Sequence, residues 1–286
     1  MYVKSFAKIN LSLQIKGIRE DGYHLLDMIN LPLELHDVLE IDTNPVYKET
    51  YIVCDDVRLM GLRSNICKKA VDLLRAKYHF KDHFLIHIHK EIPFAAGLGG
   101  GSSNAAALLL ALDKHLKLHM SEEELDEIAL QLGSDVPFFL RNRPARITGI
   151  GENISYISSP VSYHCLLIKP EQGLSTKDVY SICDKFERRK IDNDKVELGL
   201  KNEDDELICK NRGNDLYFPA NSLCPQVGEI LAELNKDGFQ IFGMSGSGST
   251  VFALTRNGKG LDKLANKYEK RGHTVILTKT VPSGKK

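Results

Sequence analysis

The sequence carries no surplus of either charge. Lys plus Arg is 38 and Asp plus Glu is 38, so the formal net charge is zero. A chain that lives on nucleic acid normally carries a basic excess to neutralise phosphates, so the composition argues against DNA or RNA as a partner. Long apolar runs are also lacking. The longest, Ala105 to Leu112, falls far short of the roughly 20 residues that cross a bilayer. The N-terminal stretch Met1 to Lys8 lacks the apolar core of a signal peptide. Six cysteines (Cys54, Cys67, Cys165, Cys183, Cys209 and Cys224) are scattered without a C-x-x-C pair. That speaks against a disulfide frame or a zinc site and for free thiols in a reducing compartment. Together these absences predict a cytoplasmic protein with no nucleic-acid or membrane partner; they do not decide between a monomer and a homodimer. The rest is ordinary for a globular chain: 42% hydrophobic and 27% charged over 286 residues, enough for one large domain or two modest ones.

Strand and helix patterns alternate along the chain. Phe6 to Ile15 and Leu31 to Ile41 read as strands, the second with a break at His36-Asp37. Ile66 to Tyr78 has helical spacing, and Phe84 to Ile92 alternates as a strand. Asn104 to His115 reads as an alanine- and leucine-rich helix. Ser121 and Glu124 form a capping box for a helix that runs to Leu132, with Gly133 as its stop. Ala145 to Gly149 and Cys165 to Lys169 read as strands. Lys177 to Phe186 reads as a helix, and the polar stretch Arg188 to Arg212 as an exposed helix pair or a loop-rich connection. Phe239 to Met244, Thr250 to Leu254 and Thr274 to Thr280 read as strands, with a helix over Leu261 to Lys270. The Ser-Ser-Pro cluster between Tyr156 and Tyr163 suggests a division into residues 1–158 and 159–286.

The segment Pro93-Phe94-Ala95-Ala96-Gly97-Leu98-Gly99-Gly100-Gly101-Ser102-Ser103 lies between a strand and a helix. Glycines let a backbone approach a ligand closely and turn its N–H groups inward. The helix that follows offers free N–H groups and a partial positive charge, which favour an anion. No lysine follows these glycines, so the run is not a Walker A loop. Ser102 stands where the third glycine of a dinucleotide fingerprint belongs, which excludes that motif too. A flexible linker is the plain alternative, but four glycines in five residues between a strong strand and a strong helix favour a polyphosphate cradle.

These residues, continued by Asn104-Ala105-Ala106-Ala107, resemble the signature of the GHMP kinases. Phe242-Gly243-Met244-Ser245-Gly246-Ser247-Gly248-Ser249 resembles the family's C-terminal glycine motif. Ala7-Lys8-Ile9-Asn10-Leu11, Asp21-Gly22-Tyr23-His24 and Leu132-Gly133-Ser134-Asp135-Val136-Pro137-Phe138 resemble further motifs of one of its branches, in the same order. The resemblance implies a two-domain α/β fold, with an N-terminal domain like domain 2 of ribosomal protein S5 and a ferredoxin-like C-terminal domain. It implies an ATP-dependent small-molecule kinase acting on a cytidine diphosphate-linked polyol. Another small-molecule kinase of the family, such as a homoserine kinase, or a nucleotide-binding protein of the same fold without catalysis, are the alternatives. Phe94 stands where methionine is usual in the family, and Asn104 where aspartate is common.

By resemblance, Asp135 accepts the proton of the substrate hydroxyl and Lys8 lowers that hydroxyl's pKa. From position alone, Asp135 is equally a helix N-cap, and Lys8 a solvated lysine on an edge strand. By resemblance, Pro93 to Ser103 bind ATP, with Asn65 near the adenine; Asn65 also suits the N-cap of its own helix. Asn10, Tyr23, His24, Thr176 and Tyr180 line the substrate site by resemblance, Tyr23 and Tyr180 as stacking faces for the cytosine. Tyr180 alternatively fills a core position on its helix. The second glycine run reaches the active site by resemblance, or is only a hairpin turn. Mg²⁺ is expected as an offset to charge on the transferring phosphoryl group; the sequence does not identify its ligands, and Ser103 is one candidate. His83, His87 and His89 invite a metal reading. His87 and His89 share a strand face at period two, and all three are read as exposed strand residues rather than as ligands.

Overall fold

Apolar residues at alternate positions open the chain as a strand, and the computed structural model, which describes residues 1–56 and 65–284, extends it over β1 (Tyr2–Ile18). Strand β2 (His24–Thr43) follows. Two compact units divide the chain, the first made of Met1–Ala7, Leu35–Pro93 and Gly99–Asn142, the second of Lys8–Glu34, Phe94–Leu98 and Arg143–Lys286. Both β1 and β2 therefore contribute to each unit.

In the first unit, β3 (Tyr51–Cys54) runs parallel to β4 (Phe84–His89), and β4 is antiparallel to the C-terminal half of β2. Phe84, Ile86 and Ile88 are buried while Leu85, His87 and His89 are part-exposed, the period-two pattern of a strand with one face on a core. Four helices complete the unit: α1 (Ile66–Tyr78), α2 (Gly100–Leu116), α3 (Glu122–Leu132) and α4 (Val136–Arg141). Helix α1 buries Cys67, Ala70, Val71 and Leu74, the spacing of one helical face. It packs on α2, and α2 packs on α4. The capping box of Ser121 and Glu124 is present in both directions, and Gly133 ends α3 as the sequence predicts.

In the second unit, residues Leu26 to Asn30 of β2 pair with β5 (Ala145–Gly149), and β5 pairs with β6 (Asn153–Tyr156). A separate antiparallel sheet has the order β10-β7-β9-β8. Its strands are β7 (His164–Lys169), β8 (Ile241–Met244), β9 (Val251–Thr255) and β10 (Thr274–Lys279). Between β7 and β8 come α5 (Thr176–Ile182), α6 (Asn193–Asn202), α7 (Asp205–Asn211), α8 (Tyr217–Leu223) and α9 (Gln226–Lys236). Helix α9 packs on β8 and β9, while α10 (Leu261–Glu269) packs on β10 and β7. The polar stretch before Arg212 is the helix pair α6 and α7, packed on each other.

Two sequence expectations need correction. Strand β2 does not break at His36-Asp37, because Asp37 is fully buried there and its charge is met by hydrogen bonds. Helix α2 begins at Gly100, four residues before the expected start, so its first turn lies inside the glycine run. Strands β3 and β6 and helix α8 carry no pattern strong enough to announce themselves, whereas α9 has Val227, Ile230, Leu231 and Leu234 at helical spacing. All six cysteines are free, and burial pushes the Cys67 thiol up to about 12, which leaves it inert. No helix among the described residues is long and apolar enough to cross a membrane.

Candidate active site

The first unit holds Asn65, Pro93, Gly99 to Ser103 and Asp135. Gly99 is the N-cap of α2 with φ +73°, in the left-handed region that glycine adopts without penalty, and no side chain caps the helix. The N–H groups of the first turn therefore point out of the helix end with no intrahelical acceptor. A Cβ on Gly100 would lie 3.0 Å from Ile92 Cγ2 and 3.2 Å from Lys90 Nζ, so the turn is tightly seated and an ammonium stands beside it. The helix dipole favours an anion here, while the charge of the Lys90 ammonium is matched by the Asp37 carboxylate.

Asp37 fixes that ammonium and the chain leading into the glycine run. It pairs with Lys90 and accepts the N–H groups of Glu91 (2.9 Å) and Ile92 (2.8 Å). It also accepts Asn104 Nδ2 at 2.8 Å. Asn104 Nδ2 reaches Ser5 Oγ as well, and Ser5 Oγ donates to Ser103 Oγ, both at 2.8 Å. Asn104 thus joins the strand exit to the helix start, donating to the Asp37 carboxylate on one side and to Ser5 on the other.

Asn65 caps α1, accepting Cys67 N–H at 2.9 Å. Asp135 occupies the N-cap position of α4, but its carboxylate makes no capping bond. The plain reading of Asp135 as an N-cap thus holds for its position, without the side-chain bond that a cap normally makes.

The second unit holds Phe94 to Leu98, Lys8, Asn10, Tyr23, His24, Thr176 and Tyr180. Lys8 is 3% exposed, so the reading of it as a solvated lysine fails. Its Nζ donates to Asn10 Oδ1 at 2.6 Å, and Asn10 Nδ2 donates to Asn30 Oδ1 at 2.7 Å. Asn30 Nδ2 is buried with no hydrogen-bond partner, a donor of the kind that native structures leave open for a ligand or water. The second glycine run forms the connection between β8 and β9 and packs on the first. Ser245 Oγ donates to Gly97 O at 2.8 Å and accepts Asn10 N–H at 3.2 Å. A Cβ on Gly97 would stand 2.2 Å from Ser245 O, so only glycine fits. Asn214 Nδ2 steadies the run from behind through Met244 O and Gly246 O, both at 2.9 Å.

Helix α5 carries the row onward. Thr176 Oγ1 bonds Ser247 Oγ at 2.9 Å, and Tyr180, one turn later on the same face, sets its ring 5.2 Å from that of His24. His24 Nε2 lies 3.0 Å and 3.1 Å from the two oxygens of Asp184. Burial raises the Asp184 pKa, but bonds to His24 and Arg188 outweigh it and hold the carboxyl below its usual range. Tyr23 is 62% exposed beside Arg19. Lys8, Asn10, Gly97, Ser245 to Ser247, Thr176, Tyr180 and His24 thus form one connected row within the second unit. Sequence reasoning missed Asp37, Lys90, Asn30, Asp184 and Asn214. Asp37 alone left a signal, and it was read as a strand break.

Residues 65–143 match the family model for the GHMP kinases N terminal domain, and residues 199–274 that for the GHMP kinases C terminal. A 4-diphosphocytidyl-2-C-methyl-D-erythritol kinase of Thermoanaerobacter pseudethanolicus is 37% identical, over 99% of this chain and 96% of that one. The enzyme of the same name from Clostridioides difficile is 38% identical, over 93% of this chain and 92% of that one. The crystal structure of a 4-(cytidine 5'-diphospho)-2C-methyl-D-erythritol kinase superposes with a TM-score of 0.81 at 27% identity, covering 99% of this chain and all of that one.

Proposed function

The chain belongs to the 4-diphosphocytidyl-2-C-methyl-D-erythritol kinases of the GHMP kinase family, and we propose from that premise that it transfers the γ-phosphoryl group of ATP to the 2-hydroxyl of that cytidine-bearing polyol, in the methylerythritol phosphate route to isoprenoids. Its fold is the mixed α/β fold of that family, and it is an ATP-dependent small-molecule kinase. The observation that carries the reading is near-full-length identity of 37–38% to enzymes of that one name, together with the family's ordered motifs.

In this reading the glycine run binds the ATP phosphates. The uncapped first turn of α2 suits that load. Asp135 takes the proton of the attacking hydroxyl as general base, and Lys8 stabilises the oxyanion that develops. Asn10, Thr176 and Asn30 orient the polyol, while Tyr23, His24 and Tyr180 hold the cytosine. The Asp184 carboxylate fixes the His24 ring and its tautomer. Ser102 and Ser103 carry hydroxyl oxygens, hard donors of the kind that would hold a Mg²⁺, and the ion when bound would neutralise charge on the transferring group. Along the sequence the proposed division into an ATP-binding part, 1–158, and a substrate part, 159–286, falls between the two family matches, while the compact units group Lys8–Glu34 with the C-terminal part. The protein acts in the cytoplasm, as a monomer or homodimer.

Release of ADP with the cytidine-bearing substrate and with homoserine, measured side by side, tests the assignment. Turnover on the first and none on the second is expected; the reverse overturns it. Asp135→Asn and Lys8→Ala should each abolish turnover while the thermal melt stays cooperative. Near wild-type rates in either would remove that residue from the mechanism.

A further inference from the structure

Three neighbouring strands of the first unit bring two imidazoles and two carboxylates to one patch. His87 and His89 stand two apart on β4, so both rings leave the same face, and their centroids are 4.1 Å apart. Glu40 stands opposite His87 in the antiparallel register of β2 with β4, and its Oε2 lies 3.3 Å from His89 Nε2. Asp55 follows β3, whose Val53 is the parallel neighbour of His87. Its carboxylate oxygens lie 2.5 Å from His87 Nε2 and 3.3 Å from His89 Nδ1. The sequence hides this set because 40, 55 and 87 are far apart, and only strand pairing joins them.

One ligand atom from each of Glu40, His87 and His89 lies within 4.8 Å of the others. Imidazole nitrogen with carboxylate oxygen is a zinc-type donor set. Metal–donor bonds of about 2.0–2.2 Å in a tetrahedron separate the donors by roughly 3.3 Å, which is the separation of Glu40 Oε2 from His89 Nε2. The Tyr2 hydroxyl donates to Glu40 Oε1 at 2.6 Å and aims the carboxylate, as an outer partner does around a metal. Side-chain exposure of 34% to 49% leaves all four donors within reach of an ion from solution.

We propose that Glu40, His87 and His89, with Asp55, form a binding site for a zinc-type divalent cation, separate from the kinase chemistry. Bound there, the ion ties β2 and β4 to the segment after β3, one residue before Lys90. It stabilises the first unit by mass action, because the unfolded chain does not hold these donors together.

Isothermal titration of the full, metal-free chain with Zn²⁺ tests this. Roughly one ion per chain and a melting temperature that rises with Zn²⁺ are expected. His89→Gln and Glu40→Gln should each weaken binding by at least about 10-fold, with the metal-free melt unchanged. Cys183→Ser should leave binding as it is, although His24, Cys183 and Asp184 form the other donor cluster among the described residues. Absence of stoichiometric binding, binding indifferent to His89→Gln and Glu40→Gln, or binding lost with Cys183→Ser each overturns the proposal.

Discussion

Replacing Asp37 by alanine removes a fully buried carboxylate and strands four donors at once: the Lys90 ammonium, the N–H groups of Glu91 and Ile92, and Asn104 Nδ2. The Lys90 side chain is itself only 9% exposed, so its charge cannot simply pass to water. Removal of one partner of a buried ion pair costs about 3–5 kcal/mol, and that term dominates, because the three neutral donors recover part of their bonding from water entering the cavity. Urea unfolding of Asp37→Ala should show a loss of that order. The double variant Asp37→Ala/Lys90→Met removes both charges, so it should be more stable than the sum of the single losses by about 0.5–3 kcal/mol. The same clamp sets the approach to α2, where a shift of about 1 Å in a positioning element costs on the order of 100-fold. The kcat/KM for ATP should therefore fall by about that factor, while KM for the second substrate changes little. Stability within about 1 kcal/mol of wild type, or strict additivity in the double variant, would refute the reasoning.

Gly97→Ala puts a Cβ 2.2 Å from Ser245 O at a φ of +70°, so it should cost more than about 2 kcal/mol and raise KM for ATP; a wild-type melt and turnover would show that the two glycine runs do not meet this closely. Tyr23→Ala should raise KM for the cytidine-bearing substrate about 5- to 150-fold, the worth of one stacked base, with a smaller change for ATP, and an equal change in both would count against stacking. Asp205 receives Tyr163 Oη at 2.6 Å and two Arg256 nitrogens at 2.9 Å. Burial raises its pKa, but these bonds outweigh burial and hold the carboxyl below its usual range. A depressed folded pKa means that the unfolded chain binds the extra proton. The contribution is therefore complete above the ordinary carboxylate range of about 4 and is lost as pH falls through the lower, folded value. Urea midpoints between about pH 5 and 3 should fall more steeply for wild type than for Asp205→Asn, and parallel slopes would sink the claim.

The sequence by itself determined the elements whose cause is local. The α1 face, the Ser121 capping box, the Gly133 stop and the alternation of β4 each follow from spacing along one element, and the structure has them. The glycine run and its neighbours also carried the family resemblance, because they are contiguous in sequence and fall within the matched segment. Tertiary structure decided what long-range pairing creates. Asp37, read locally as a strand break, is the acceptor that seats Lys90 and Asn104. His87 and His89 gain Glu40 and Asp55 only through the pairing of β4 with β2 and β3. Gly97 needs to be glycine because of Ser245, 148 residues away. In each case the partner lies far along the chain, and only the packed backbone brings the charge or the steric limit into contact.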